Sequence, residues 1–315
     1  MRAIVMQEFG GPEVLQLNDV PEPEPRAAHI RVNVTRAGVN YADVHARQDT
    51  YLAPVALPYI PGNEVVGTAD DGRRVAALTQ GGGYAEKTFV HRRVAWDIPD
   101  DVTDEQAVAL ALQGNSAWHL LFTTAQVTSG ETVVIPAAGG GVGSIAVQLA
   151  KSEGAKVVAL ASTEEKRRLA QDLGADAVVD SSTTDGLTER IREAAGGRVH
   201  AALEMTGGET FHQILAALDP RGRMAVYGFA SGDLAQVPVH ALLAKSITVS
   251  GLWLPHLYAD RTALPTSMEA LFAAVSSGKL RPVSGGTYPL GEASRAHRDL
   301  ASRTHMGKLC LDTTE

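Results

Sequence analysis

Cysteine is almost absent: the 315 residues contain one, Cys310, set in a late apolar run. An intramolecular disulfide is thereby excluded, and so is any metal site built on several thiolates. Cys310 reads as a small buried hydrophobe in a strand. Long apolar stretches are missing too, since no run approaches the ~20 residues needed to span a bilayer. Arg2-Ala3-Ile4-Val5-Met6 passes straight into strand-like sequence without the apolar segment of a secretory signal. A cytoplasmic protein that does not engage membranes is expected. The ten histidines are scattered, with no ligand spacing such as H-E-x-x-H. Cations are in deficit: the formal net charge is −8 and no basic stripe alternates with aromatics, which argues against nucleic acid as a partner.

What is present is an ordinary globular composition, 44% hydrophobic and 20% charged, on a chain long enough for two domains. One stretch organises the rest. Val133-Val134-Ile135 is a β-branched run that enters Pro136-Ala137-Ala138-Gly139-Gly140-Gly141-Val142-Gly143 and leaves as the helix-like Ser144-to-Lys151. The spacing Ala138-x-Gly140-x-x-Gly143 is a G-x-G-x-x-G with Ala in the first place. Glycines at such a turn let backbone approach a diphosphate, and the N–H groups at the helix start supply donors and positive potential. Lys156-to-Leu160 follows as the next strand and closes a βαβ unit. Ala138, Gly140, Gly141, Val142 and Gly143 are therefore expected to hold a dinucleotide.

Upstream, the pattern is β-rich. Residues 2–7 read as a strand with Glu13-to-Leu17 as its hairpin partner after Gly10-Gly11-Pro12. Short strands follow at His29-to-Val34, Val65-to-Thr68, Arg74-to-Leu78 and Tyr84-to-Val90, as in a small barrel. Thr103-Asp104-Glu105-Gln106 has the pattern of a capping box opening a helix. Downstream of the glycine turn, strands and helices alternate through Gly228, as in a doubly wound parallel sheet. Residues 268–278 read as an amphipathic helix, and 283–311 as a closing strand–helix–strand.

Four motifs follow one another in order: Gly38-Val39-Asn40-Tyr41-Ala42-Asp43, Ile60-to-Gly67, Leu112-Gln113-Gly114-Asn115-Ser116-Ala117-Trp118, and the Ala137-to-Lys151 turn. Together they resemble the medium-chain dehydrogenase/reductase superfamily, in particular its zinc-free NADPH:quinone oxidoreductase (zeta-crystallin-like) branch. The resemblance covers nearly the whole chain. It implies an α/β protein that pairs a GroES-like β-rich domain, residues 1–116 and 256–315, with a Rossmann domain, residues 117–255. It also implies a homodimer joined along the last Rossmann strand, here Ser246-to-Trp253. Where the zinc alcohol dehydrogenases of that superfamily place Cys and His, this chain has Asn40 and Asn63. A neutral amide is a poor zinc ligand, so no metal is expected.

The stretch Ala161-Ser162-Thr163-Glu164-Glu165-Lys166 bears on NAD against NADP. NAD sites usually place an acid at this strand end; here Ser162 and Thr163 offer hydroxyls and Lys166 a cation, which suit a 2′-phosphate. In the resembled family a Lys at the place of Lys166 commonly meets that phosphate, and an Arg stands near it where this chain has Arg303. Glu164 and Glu165 are the counter-indication, and a Glu164–Arg168 surface pair is the alternative use of this helix. Gly228-Phe229 ends a strand on the expected ligand edge and is assigned to the nicotinamide side.

Hydride transfer without metal leaves polarisation of the acceptor to hydrogen bonds. Asn40 is the first candidate, its amide donating to a carbonyl oxygen or orienting water. Tyr41, Tyr51 and His45 are candidate proton donors, and Ser116 keeps the hydroxyl of a Thr usual in the resembled motif. The leading expectation is NADPH-dependent reduction of a quinone or related α,β-unsaturated carbonyl compound. An enoyl or alkenal reductase tailoring one metabolite, or a non-catalytic dinucleotide-binding protein, remain alternatives.

Overall fold

In the computed structural model, which describes residues 1–315, the chain forms two compact units. The first comprises Met1–Gln113, Leu257–Gly278 and Pro282–Glu315, the second Gly114–His256 and Lys279–Arg281. In chain order the first unit begins with β1 (Arg2–Val5), β2 (Gln16–Asp19), β3 (His29–Val39) and α1 (Tyr41–Arg47). It continues with β4 (Glu64–Ala69), β5 (Arg74–Leu78), β6 (Lys87–His91), β7 (Ala95–Asp97) and α2 (Asp104–Ala109). A π-helical turn, Leu110–Gly114, leads into α3 (Asn115–Trp118) and the second unit.

There follow β8 (Thr132–Ile135), α4 (Gly141–Ser152), β9 (Lys156–Ala161), α5 (Glu164–Asp172), β10 (Ala177–Asp180) and α6 (Leu187–Ala195). The unit is completed by β11 (Ala201–Glu204), α7 (Gly208–Ala217), β12 (Arg223–Val226), α8 (Val239–Lys245) and β13 (Thr248–Gly251). The chain then returns to the first unit with α9 (Ala263–Ser276), β14 (Ser284–Pro289), α10 (Ala293–Ala301) and β15 (Lys308–Asp312). No helix is long and apolar enough to cross a membrane.

In the second unit six parallel strands lie in the order β10-β9-β8-β11-β12-β13. Every residue of β8 and β11 is buried, as expected where helices cover both faces of a parallel sheet. The order reverses at β8, so the turn leaving β8 sits where doubly wound sheets bind ligands. In the first unit the sheet order is β14-β15-β3-β4-β5-β7, with β6 also on β3. Val32, Val34, Val65, Val75, Leu309 and Leu311 form the middle of its core.

Three local readings shift. The partner of β1 is Gln16–Asp19 rather than Glu13-to-Leu17, because Pro12 opens a 3-10 turn over Pro12–Val14 that consumes the residues before it. Tyr84-to-Val90 is not one strand: Ala85 makes an isolated bridge to Ala3 before β6 begins at Lys87. The helix expected at 268–278 starts at Ala263, since Pro265 stands in the first turn, where a missing N–H leaves no hydrogen bond unmade. The capping box is as expected: Gln106 N–H donates to Thr103 Oγ1 (3.2 Å) and Thr103 N–H to Gln106 Oε1 (2.9 Å).

Candidate active site

The glycine turn of the second unit is tight because of how it packs. Ala137 takes a left-handed conformation, φ 47°. Ala138 N–H is tied to Leu160 O across β9 (3.0 Å), and Gly140 N–H to Ala137 O (2.8 Å). A Cβ on Gly143 would lie 2.3 Å from Ala137 O, so the third glycine is demanded by contact of α4 with the turn. A Cβ on Gly140 would meet only Ala137 O, at 3.2 Å, so protein neighbours crowd this position far less. Glycine here suits the approach of a ligand's diphosphate instead. No side chain caps α4, whose first-turn N–H groups remain the donors to an anion.

Lys166 is brought to the same turn. Its Cβ and Cγ lie 3.0 Å from the position a Cβ on Gly139 would take, so the stem of Lys166 rests on the glycines. The sequence places these residues 27 apart; β9 and the cap of α5 place them together. Thr163 provides that cap, its Oγ1 accepting from Lys166 N–H (3.3 Å), and Ser162 and Thr163 are both exposed. The neighbouring Arg167 is committed elsewhere, donating to Ala161 O and pairing with Asp180, each at 3.1 Å. Glu164 is exposed and pairs with Arg168 on the outer face of α5. Its carboxylate therefore does not oppose an anion at the turn through a buried position. Gly228 and Phe229 follow β12, half-buried, on the same carboxyl edge of the parallel sheet. Ser116 is buried on α3.

The first unit holds a polar cluster of a different kind. Lys308, at the start of β15, and Glu64, at the start of β4, form an ion pair with side chains 3% and 0% exposed. Asn40, the residue capping α1, lies between them. Its Nδ2 donates to Glu64 Oε1 (2.8 Å) and Gly38 O (3.4 Å), and its Oδ1 accepts from Lys308 Nζ (2.9 Å) and Gln113 Nε2 (3.1 Å). Glu64 Oε2 accepts from Leu112 N–H (2.8 Å). Both amide hydrogens of Asn40 thus go to protein acceptors. As arranged, the amide N–H groups of Asn40 face Glu64 and, at longer distance, Gly38 O.

Asp43 anchors the adjoining part. Its Oδ2 accepts from Asn40 N–H (2.9 Å) and Tyr84 Oη (3.2 Å), and its Oδ1 from Asn63 Nδ2 (2.7 Å) and Gly62 N–H (3.2 Å). Burial raises its pKa to about 6 despite these donors. Tyr84 also meets His297 Nε2 (3.0 Å), and burial lowers the pKa of that imidazole to about 3. Asn40 and Asn63 therefore serve a buried network, and no group of three His, Cys, Asp or Glu side chains is placed to hold a metal ion.

His45 lies on α1 with Nδ1 3.0 Å from Thr50 Oγ1, and burial lowers its pKa. Tyr51 follows in the loop after α1, half-buried, close enough to Tyr59 and Tyr258 to raise their pKa values beyond the effect of burial. Arg303 is exposed, with φ 57°, and interacts with the Tyr41 phenol in the first unit. It is thus grouped with Tyr41, whereas Lys166 is grouped with the glycine turn. Sequence reasoning gave no role to Glu64, Lys308 or Gln113. The available signal was a single charge at the head of each of two apolar strands, with opposite signs.

A family model described as zinc-binding dehydrogenase matches residues 141–273. The quinone oxidoreductase of Rattus norvegicus is 32% identical over 99% of this chain and 97% of its own length. Among solved structures, Escherichia coli quinone oxidoreductase complexed with NADPH superposes with a TM-score of 0.93 at 31% identity, covering 99% of this chain and 100% of that one. A mycobacterial protein complexed with NADPH gives a TM-score of 0.94 at 35% identity, covering 99% and 100%. Similarity of this extent, from end to end and in both units, shows that the chain belongs to the quinone oxidoreductase family of the medium-chain dehydrogenases/reductases.

Proposed function

We propose that the protein is an NADPH-dependent reductase that delivers hydride to a quinone or a related α,β-unsaturated carbonyl acceptor without a metal ion. The observation that carries the reading is the seating of the Lys166 stem on Gly139, at a glycine turn whose adjacent strand ends without an acid. Relatives in the same family are quinone oxidoreductases, and two superposed structures hold NADPH.

When bound, NADPH supplies a hydride, and a quinone that takes up the hydride and one proton leaves as the hydroquinone. The N-terminus of α4 with Ala138, Gly140, Gly141, Val142 and Gly143 binds the diphosphate. Ser162, Thr163 and Lys166 bind the 2′-phosphate. Gly228, Phe229 and Ser116 serve the nicotinamide side. Because burial lowers its pKa, His45 is neutral near pH 7, and a neutral imidazole N–H is a far weaker acid than a phenol. This favours Tyr51 over His45 as the proton source. Asn40 acts by bracing the network rather than by touching the acceptor.

Two further parts belong to the proposal. Zinc is dispensable, supported by the amides at positions 40 and 63 being engaged with Glu64 and Asp43. The protein works as a cytoplasmic homodimer, the pairing supported by the free edge of β13 and by the exposed apolar residues of the segment that leads into it. Leu234, Val237, Val239 and Leu243 are exposed in and just before α8, which buries none of its residues. Following NADPH absorbance against a panel of benzoquinones, naphthoquinones and enals tests the central claim. Tight NADPH binding with no oxidation by any member of the panel would overturn it.

A further inference from the structure

A cavity of about 570 Å³ opens within the first unit, between the edge strand β7 and α9, and no residue of the glycine turn or of the Asn40 cluster lines it. Its size is that of a small-molecule pocket. On the α9 side it is lined by Pro265, Met268, Glu269, Phe272, Ala273 and Ser276, a spacing that puts all six on one stripe of the helix. Met268 and Phe272 are buried and supply an apolar floor, while Pro265, Glu269 and Ala273 are exposed. Ser276 Oγ ties α9 to the chain after β7 by donating to Asp101 Oδ1 (3.0 Å). The β7 side contributes Trp96. Its Nε1 is buried, so whatever side-chain surface it shows is ring carbon, with the negative face of an aromatic ring. The lone cation on the walls, Arg73, is held by Asp71 (2.9 Å) and Asp97 (2.5 Å). Glu269 is the one charged residue of α9, and its carboxylate is exposed with no ion pair.

We propose that this cavity is a second small-molecule site and that it takes an organic cation, an aromatic or alkyl body carrying an ammonium or quaternary ammonium group. The body packs on Met268 and Phe272, and the positive group is held by the Trp96 ring and the Glu269 carboxylate. Both attract a cation, the ring through its quadrupole and the carboxylate through its charge. An anion of the same shape meets Glu269 without compensation, because the charge of Arg73 is already shared by two carboxylates. The site takes no part in hydride transfer and does not rest on the reductase reading.

Benzyltrimethylammonium and benzenesulfonate carry opposite charges on the same ring and serve as probes. Calorimetric titration of the wild type should show the cation binding ~3-fold or more tighter than the anion. Glu269→Gln should weaken the cation about 2- to 5-fold, the worth of one exposed ion pair, and leave the anion no weaker. Ala273→Trp starts from an exposed position on the cavity stripe, so it fills the space without disturbing the core and should remove cation binding in a protein that still melts as the wild type does. Equal affinity for cation and anion, full cation affinity in either variant, or no binding of the cation at millimolar concentration would overturn the proposal. Crystals of the wild type soaked with the cation give a reading that does not depend on a variant folding. An ammonium group against Trp96 and Glu269 supports the inference, and a cation bound only elsewhere, or an empty cavity, overturns it.

Discussion

Removal of the Lys308 charge is the sharpest test of how the first unit is held together. Lys308→Met leaves Glu64 fully buried, with donors from Asn40 and Leu112 but no counter-ion. Breaking a buried pair by deleting one partner typically costs ~3–5 kcal/mol, because the remaining charge is uncompensated. For a unit of this size each kcal/mol moves the melting temperature by about 2–4 °C, so a fall of roughly 6–20 °C is expected. Glu64→Gln alone strands Lys308 in the same way. In the double variant the new amide can turn its oxygen to Leu112 N–H, so the two losses should not add, and coupling of ~2 kcal/mol or more is expected. Calorimetric melting of the four proteins measures all of this. Additive single-variant losses would refute the claim that one buried charge compensates the other.

Lys166→Ala should weaken NADPH by roughly ten- to a hundredfold, the worth of one charge-assisted contact, while NADH affinity stays within about twofold; equal loss for both cofactors in calorimetry would remove Lys166 from the 2′-phosphate. Activity should survive chelators and the purified protein should carry no stoichiometric zinc, so elemental analysis finding about one tightly held zinc per chain would contradict the proposed role of Asn40 and Asn63. Leu243, in the helix that leads into β13, is 78% exposed, and Leu243→Asp should shift light scattering from dimer toward monomer; a wild type already monomeric at micromolar concentration ends that proposal. His297, with a pKa lowered from 6.5 to about 3, favours the fold when neutral, so stability falls as pH drops through that window, whereas Asp43, raised from 3.8 to about 6, loses its contribution as pH rises through about 6. His297→Gln should therefore lessen the fall in melting temperature between about pH 7 and about pH 4.5, and an unchanged acid limb in thermal melts would show that His297 is not its cause.

The order of elements in the second unit was legible because it is written locally. A wholly β-branched β8, glycines that only a tight turn needs, and a helix-forming run afterwards each constrain their own backbone, and repetition of that unit leaves a parallel sheet as the outcome. The capping box at Thr103 was readable for the same reason: both of its partners lie within four residues. The opposite case is the cluster around Asn40. Its partners Glu64, Gln113 and Lys308 stand 24, 73 and 268 residues away, and no local pattern says that two isolated charges on β4 and β15 will meet. The sequence marked Asn40 as a site residue through its motif, but whether its amide faced a ligand or the protein depended on that meeting. Lys166 stands between the two cases. The missing acid after β9 was visible in the chain itself, while contact of its stem with Gly139 required β8 and β9 to pair in register, since only the sheet brings the end of one strand beside the turn after the other.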